Sequence, residues 1–330
     1  MLKFYQNKGK DADAAVFSQV SLRRNLRDLP FMSRLDAEKA KGLFADVEKA
    51  LADAGFSFEK YDFTALSPTK RGLLAEKNLV PQSFVSGSGP RGVFVSEDES
   101  VSVIVGDEDH IRILAQAAGL DLPVCFEKAK AIDAVFDAAF GYAYSEKYGY
   151  LTASPVHLGC AMRAGTAVHL PAIAASSGLR ALSAQIGRMG YELTALYGEG
   201  SGVYLLSNVK SLGITEKELL VGIENAAGKI MERERALRRE LYRDNPEYLE
   251  DRVRRALAIL GSARVIGMRE AAALLSDARL GAGVIDDIEP EKIDAAIRLI
   301  GPCAVSEAVG PDDTAKTEVR RASLLREAIR

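Results

Sequence analysis

The sequence predicts an α+β fold: a largely antiparallel sheet flanked by helices, followed by a C-terminal helical domain. Between Ser33 and Gly213, helix-period and strand-period segments are mixed without the strict alternation of a parallel βαβ sheet. Val93-Phe94-Val95 and the run from Val101 to Val105 flank the polar stretch Ser96 to Ser100, which is the pattern of a β-hairpin. After Gly213 almost nothing reads as strand.

In chain order, Ser33 to Ala54 is expected to be a helix. Ser33 with Asp36 makes a capping pair, and Leu43, Phe44, Val47 and Leu51 fall on one face. Gly87-Ser88-Gly89-Pro90-Arg91-Gly92 matches a dinucleotide glycine pattern in spacing. A strand follows it where that pattern needs a helix, so it reads as a loop entering the Val93 strand. The second hairpin strand ends at Gly106, which places Asp107, Glu108 and Asp109 at a strand tip. Glu127 to Phe140 reads as a helix, Leu151 to Ser154 and Ala167 to Leu170 as strands, and Leu179 to Met189 as a helix. Tyr191 to Leu196 and Val203 to Leu206 read as strands. Thr215-Glu216-Lys217-Glu218 is a capping box that opens a long helix. Asn245-Pro246 interrupts the helical run, and Leu249 to Leu260 and Met268 to Ser276 are further helices. A boundary near Asp244 divides the chain into residues 1–243 and a helical domain of residues 244–330.

With 330 residues, 48% of them hydrophobic, and a formal net charge of −3, the chain is ordinary for a globular protein of one large or two moderate domains. No apolar run reaches the ~18 residues of a membrane span, and the first residues lack the apolar core of a signal peptide. The expectation is a cytoplasmic protein with no membrane partner. Cys125, Cys160 and Cys303 are widely spaced, against a disulfide framework or a zinc cluster, and no metal ligands are assigned. Arginines interspersed with acids form no basic patch for nucleic acid.

Two segments carry chemistry. One is Gly106-Asp107-Glu108-Asp109-His110-Ile111-Arg112. The other is Gly149-Tyr150-Leu151-Thr152-Ala153-Ser154-Pro155-Val156-His157-Leu158-Gly159-Cys160-Ala161-Met162-Arg163-Ala164. An acidic cluster alone reads as a solvated turn, and His157 or His169 alone as a packing histidine. Together the two segments resemble the active-site signatures of the ATP:guanidino phosphotransferase (phosphagen kinase) family, and within it the bacterial protein arginine kinases. Lys70 to Lys77, Tyr197-Gly198-Glu199-Gly200-Ser201 with Ser207-Asn208, Leu249 to Val253 and Leu275 to Gly281 extend the resemblance, which runs from about Phe17 to Arg326. The last two segments resemble the helical C-terminal domain that creatine and invertebrate arginine kinases lack.

The resemblance implies a phosphagen-kinase-like sheet and transfer of the γ-phosphate of ATP, with Mg2+, to a guanidinium. A guanidinium is positive and a poor nucleophile, so a carboxylate must orient it and accept its proton. That role falls on Glu108. Arg71, Arg112 and Arg163 fall on phosphate-clamping positions. His157 and Glu199 lie in substrate-facing segments. Glu318 and Arg321, in Thr317-Glu318-Val319-Arg320-Arg321-Ala322, fall where the family reads phosphoarginine, although an exposed amphipathic last helix explains the same residues. Implied partners are arginine side chains of protein substrates, a small zinc-binding activator, a Clp ATPase and a second copy of the chain in a homodimer.

Departures from the family pattern are concentrated in the same site. The family opens Ser-Ser-Arg-Ile-Arg-Leu-Ala-Arg-Asn-Leu, and here Phe17 to Leu26 reads Phe-Ser-Gln-Val-Ser-Leu-Arg-Arg-Asn-Leu. Gln19 and Ser21 replace two arginines. Arg23 lies two residues beyond Ser21 on the same strand face and reaches the position only by pointing back. Thr194 replaces a third arginine, Ser154 the active-site cysteine and His157 an asparagine. The loop after Ser201 is shortened and lacks its substrate-facing glutamate. Phosphoryl transfer depends mostly on positioning and charge stabilisation, so the resemblance implies weakened or lost activity, or alternatively a non-catalytic regulatory module in Clp-type protein quality control.

Overall fold

The computed structural model describes residues 1–309 and 314–329. Its strands are β1 Ala15–Arg24, β2 Phe58–Asp62, β3 Gly92–Ser96, β4 Val101–Val105, β5 Ile111–Ala118, β6 Tyr144–Ser145, β7 Gly149–Tyr150, β8 Met162–His169, β9 Tyr191–Ala195 and β10 Val203–Asn208. The helices are α1 Ala37–Asp53, α2 Pro68–Glu76, α3 Gln82–Val85, α4 Leu122–Phe140, α5 Pro171–Ala175, α6 Leu179–Arg188, α7 Glu216–Asp244, α8 Pro246–Ser262, α9 Met268–Leu280, α10 Pro290–Ile297, α11 Pro302–Val309 and α12 Thr314–Ile329.

Eight strands form one sheet in the order β2-β3-β4-β5-β1-β8-β10-β9, with each neighbouring pair antiparallel. Side chains alternate across a strand, so the register sorts residues onto two faces. Val20, Leu22, Ile113, Ala115 and Ala164 face the main core, which α1, α4 and α7 complete with Leu43, Val47, Ile132, Phe136, Ile223 and Ile230. Gln19, Ser21 and Arg23 point to the other face. That face is covered at its two ends only. Phe63, Leu74 and Phe84 cover Val93, Val95 and Ile104 at one end, and the C-terminal helices cover Phe17, Ala167 and Val203 at the other. The stretch between is polar.

Several element boundaries differ from expectation. Helix α1 begins at Ala37, because the Asp36 carboxylate accepts a hydrogen bond from the Lys39 backbone N–H and so is itself the N-cap. Asp121 caps α4 in the same way, extending that helix by five residues over the expected start at Glu127. The expected strand Leu151 to Ser154 is not one. The Leu151 carbonyl accepts from Asn25 Nδ2 at 3.0 Å and the Ala153 N–H donates to Asp109 at 2.8 Å. Side chains thus satisfy backbone groups that a ladder would otherwise pair, and the chain turns through a 3-10 helix at Pro155–His157. The Thr215–Glu218 capping box and the Val93/Val101 hairpin form where expected.

Buried ion pairs fasten the C-terminal helices to the sheet. Arg279 donates to Asp294 at 2.7 Å and to the carbonyls of Ala12 and Ala15 just before and within β1. Arg238 donates to Glu234 at 2.8 Å and to the carbonyls of Asp13 and His169. Arg238, Glu234 and Arg279 are almost wholly removed from solvent, so each charge depends on these partners.

Candidate active site

Strands β1, β5 and β8 bring the site together. In their register Arg23 lies opposite Arg112, and Ser21 opposite Arg163. Directly opposite residues of an antiparallel pair share a face, so three arginines stand on the polar face around Ser21. The β4–β5 turn projects Asp107, Glu108 and Asp109 toward the same place. Gly106 begins that turn with φ +81°, and a Cβ there would come within 2.9 Å of Arg91, so the turn packs closely against Arg91 at this point.

The turn is rigidly set. Asp109 is fully buried and accepts from Asn25 Nδ2 at 2.6 Å and from the Ala153 N–H at 2.8 Å. His110 accepts from the Leu26 N–H through Nδ1 at 2.9 Å and donates from Nε2 to the Pro30 carbonyl at 2.8 Å. These bonds are the physical reason the two signature segments belong together: Asp109 in the first holds Ala153 in the second. The second segment is closed by backbone contact between Gly149 and Gly159, where the Tyr150 N–H donates to the Gly159 carbonyl. A Cβ on Gly149 would lie 2.3 Å from that oxygen.

Each arginine of the cluster has an acid beside it. Arg112 donates from Nε to Ser21 Oγ at 2.9 Å and lies 3.6 Å from Asp107. Burial, and after it the charge of Arg23, pushes the Arg112 pKa down to about 10, leaving it protonated at neutral pH. Arg163 pairs with Glu192 of β9 and donates to Ser207 Oγ of β10 at 3.0 Å. Arg23 Nη1 lies 3.4 Å from both Glu108 and Asp109. Glu108 remains half exposed, its side chain 48% accessible. His157 lies within electrostatic reach of Arg23, Asp109, Arg163 and Arg112. Burial first, then Arg23, lowers its pKa to about 4, so it is neutral at pH 7.

The sequence-predicted residues separate into three places. Glu108, Arg112, Arg163 and His157 come together. Arg71, on α2, stands at the edge of this group, donating from Nε to the Leu66 carbonyl at 3.1 Å. Its charge and that of Asp107 both act on Arg91, which links it to the turn. Glu199 lies apart, exposed and paired with Arg269 of α9 at 2.9 Å. Glu318 and Arg321 are in α12, where Arg321 is buried and donates to the carbonyls of Ile300 and Ile266 at 2.8 and 3.0 Å. Thr194 is on β9 beside the cluster but exposed. Sequence reasoning named Asp107, Ser207 and Arg91 without giving them a place in the site, and did not single out Glu192. Parity along β9 and β10 marks Glu192 and Ser207 as sharing a face, but the cross-strand register that brings them to Arg163 is not written in local sequence. Among the described residues, no group of three or more His, Cys, Asp or Glu side chains is arranged to hold a metal ion, and no helix is long and apolar enough to cross a membrane.

Comparison with known proteins defines the class. Residues 41–237 match the profile described as ATP:guanido phosphotransferase, C-terminal catalytic domain. The chain belongs to the ATP:guanido phosphotransferase family. Within it the chain stands with the protein-arginine kinases: residues 246–330 match the profile of the protein-arginine kinase McsB C-terminal domain. It is 34% identical to the protein-arginine kinase of Desulforamulus reducens, over 99% of this chain and 95% of the relative. It is 33% identical to that of Symbiobacterium thermophilum, over 98% and 95%. The fold is also that of solved phosphagen kinases. The duplicated taurocyamine kinase of Schistosoma mansoni, with bound transition state analog components, superposes with a TM-score of 0.61 at 20% identity, covering 75% of this chain and 36% of that one. Lombricine kinase superposes with a TM-score of 0.60 at 19% identity, covering 69% and 68%.

Proposed function

We propose that this chain transfers the γ-phosphoryl group of ATP to a guanidinium nitrogen of arginine in a protein, at a rate below that of a fully equipped family member. The observation that carries the reading is the placement of Arg112 and Arg163 on one sheet face, flanking Ser21, with the half-exposed Glu108 at the adjoining turn. Arg112, Arg163 and, from α2, Arg71 would hold the phosphates. Glu108 would orient the acceptor and take its proton. The acceptor nitrogen forms a P–N bond as the bond from the γ-phosphorus to the bridging oxygen breaks. ADP leaves with its charge on the arginines. Mg2+ belongs to the substrate as Mg·ATP, carried on the phosphates and not on a resident site. His157, neutral at pH 7, replaces an asparagine beside the cations without adding a charge.

One preorganised donor typically supplies about 3 kcal/mol, or about 10²–10³ in rate. Gln19, Ser21 and Thr194 lack that donor, and the effects of groups acting together are not additive. The division at residues 1–243 and 244–330, the reading of phosphoarginine by Glu318 and Arg321, the substrate-side role of Glu199, the homodimer, the zinc-binding activator and the Clp ATPase belong to this proposal on family analogy.

A second reading is favoured by one observation: Arg23, Arg112 and Arg163 are each beside a carboxylate, so every cation of the cluster has an acid competing with phosphate. Such a site suits a regulatory binding module. Calorimetry with an Mg·ATP analogue decides first. Saturable binding to the wild type that is lost in Arg112→Ala supports the phosphotransferase. Absence of binding in both proteins sinks it and leaves the module.

A further inference from the structure

Arg23 stands where the family string carries alanine, and its geometry gives it a role the signature does not contain. Its side chain leaves β1 on the face of Gln19 and Ser21, directly across from Arg112. Nη1 lies 3.4 Å from Glu108 and from Asp109, long for charge-assisted bonds, which run about 2.7–2.9 Å. Nε is buried and has no hydrogen-bond partner among the described residues. Nearby charges of the same sign, Arg112 and Arg163, share the pocket with it. Only the backbone at this point is firmly held: Arg24, on the opposite face, donates to the Arg23 carbonyl at 2.8 Å, pairs with Asp133 and stacks 3.6 Å from the Tyr150 ring.

A guanidinium so placed is loosely tied, has a free donor and lies on the carboxylate that an acceptor guanidinium requires. An acceptor approaching Glu108 in the empty site meets a like charge at that carboxylate. A polyphosphate entering beside Arg112 and Arg163 offers Arg23 more negative charge than two carboxylates at 3.4 Å, and a bidentate fit to the guanidinium fork. We propose that Arg23 alternates between Glu108 and nucleotide phosphate: parked on Glu108 and Asp109 it shuts the acceptor position, and drawn onto phosphate it replaces the donors absent at Gln19 and Ser21 and frees Glu108. This rests on the phosphotransferase reading. It makes binding ordered, nucleotide before acceptor, and by linkage each ligand raises affinity for the other by the same factor.

Calorimetry on the full chain tests it, with Mg·ADP and N-acetyl-arginine amide as probes. In the wild type, saturating Mg·ADP is expected to tighten acceptor binding at least tenfold. In Arg23→Gln, Mg·ADP should bind at least tenfold more weakly, and the acceptor should bind equally well with and without it. Coupling in Arg23→Gln equal to that of the wild type, or no coupling in the wild type, overturns the proposal. Where Arg23→Gln melts too early to assay, Arg23→Lys, which keeps the charge and loses the fork, should show intermediate coupling, and wild-type coupling there overturns the proposal equally. Mg·ADP binding that is lost in Arg112→Ala but untouched in Arg23→Gln removes the role of Arg23 and leaves the phosphotransferase reading standing. Failure of the wild type to bind Mg·ADP at all sinks both.

Discussion

At the scale of one residue, His157 shows how the site's cations govern a neighbour. Burial and the positive field of Arg23, Arg163 and Arg112 lower its pKa from 6.5 to about 4. A histidine with a folded-state pKa below its unfolded value binds more protons when unfolded. Its neutral form therefore stabilises the fold fully above about pH 6.5, and that contribution is lost as pH falls toward 4. Melting temperatures between pH 7 and 4 should fall more steeply for the wild type than for His157→Gln. Coincident slopes would mean that burial and the arginines together leave the His157 proton affinity unshifted. The same scale explains Ser21. With no guanidinium of its own, it accepts a hydrogen bond from Arg112 Nε and so orients a residue proposed to clamp phosphate.

At the scale of the element, β1 concentrates what is unusual in this chain. Its lower face carries ordinary core residues, Val20 and Leu22, while its upper face reads Gln19, Ser21, Arg23. Strand register depends on the buried face, so Val20 and Leu22, not the replaced positions, set it. Restoring charge with Gln19→Arg plus Ser21→Arg should raise phosphoarginine formation by at least about 10²-fold if the site is a weakened enzyme. Mass spectrometry of an arginine-rich protein substrate measures it. An unchanged yield would favour the binding module. The β4–β5 turn is the second such element. Asp109 and His110 fix it through four neighbours, Asn25, Ala153, Leu26 and Pro30, leaving Glu108 as the exposed acid of the three.

At the scale of the whole molecule, the C-terminal helices are tied into the sheet by charge as well as by apolar packing. Phe4, Phe17, Ala167 and Val203 share one cluster with Leu260, Leu275, Ile297 and Leu325. Arg279 and Asp294 are buried together, and Arg279 also holds the chain entering β1. Arg279→Ala leaves Asp294 buried without its cation, a change that typically costs about 3–5 kcal/mol. Urea unfolding should show that loss as one shifted transition. Two separate transitions would mean that the helical part unfolds by itself.

Local chemistry was enough to set the class of fold, the hairpin, the capping box at Thr215, the all-helical end and the acids at the β4–β5 turn. Each depends on neighbours in sequence: alternation, helical period, a cap three residues from its partner. Helix starts at Asp36 and Asp121 were misplaced because side-chain capping competes with apolar periodicity at a terminus. The strand expected at Leu151 failed because its hydrogen-bonding groups are taken by Asn25 and Asp109, over 40 residues away in sequence. The two signature segments could be paired by resemblance, but the contacts that join them come from folding. Only the tertiary structure decided that Glu192 and Ser207 reach Arg163, that Glu199 turns away to Arg269, and that Arg23 lies on Glu108. Those are cross-strand and cross-segment contacts. They depend on sheet order and register, which the long-range packing of the whole chain determines and no local run of residues contains.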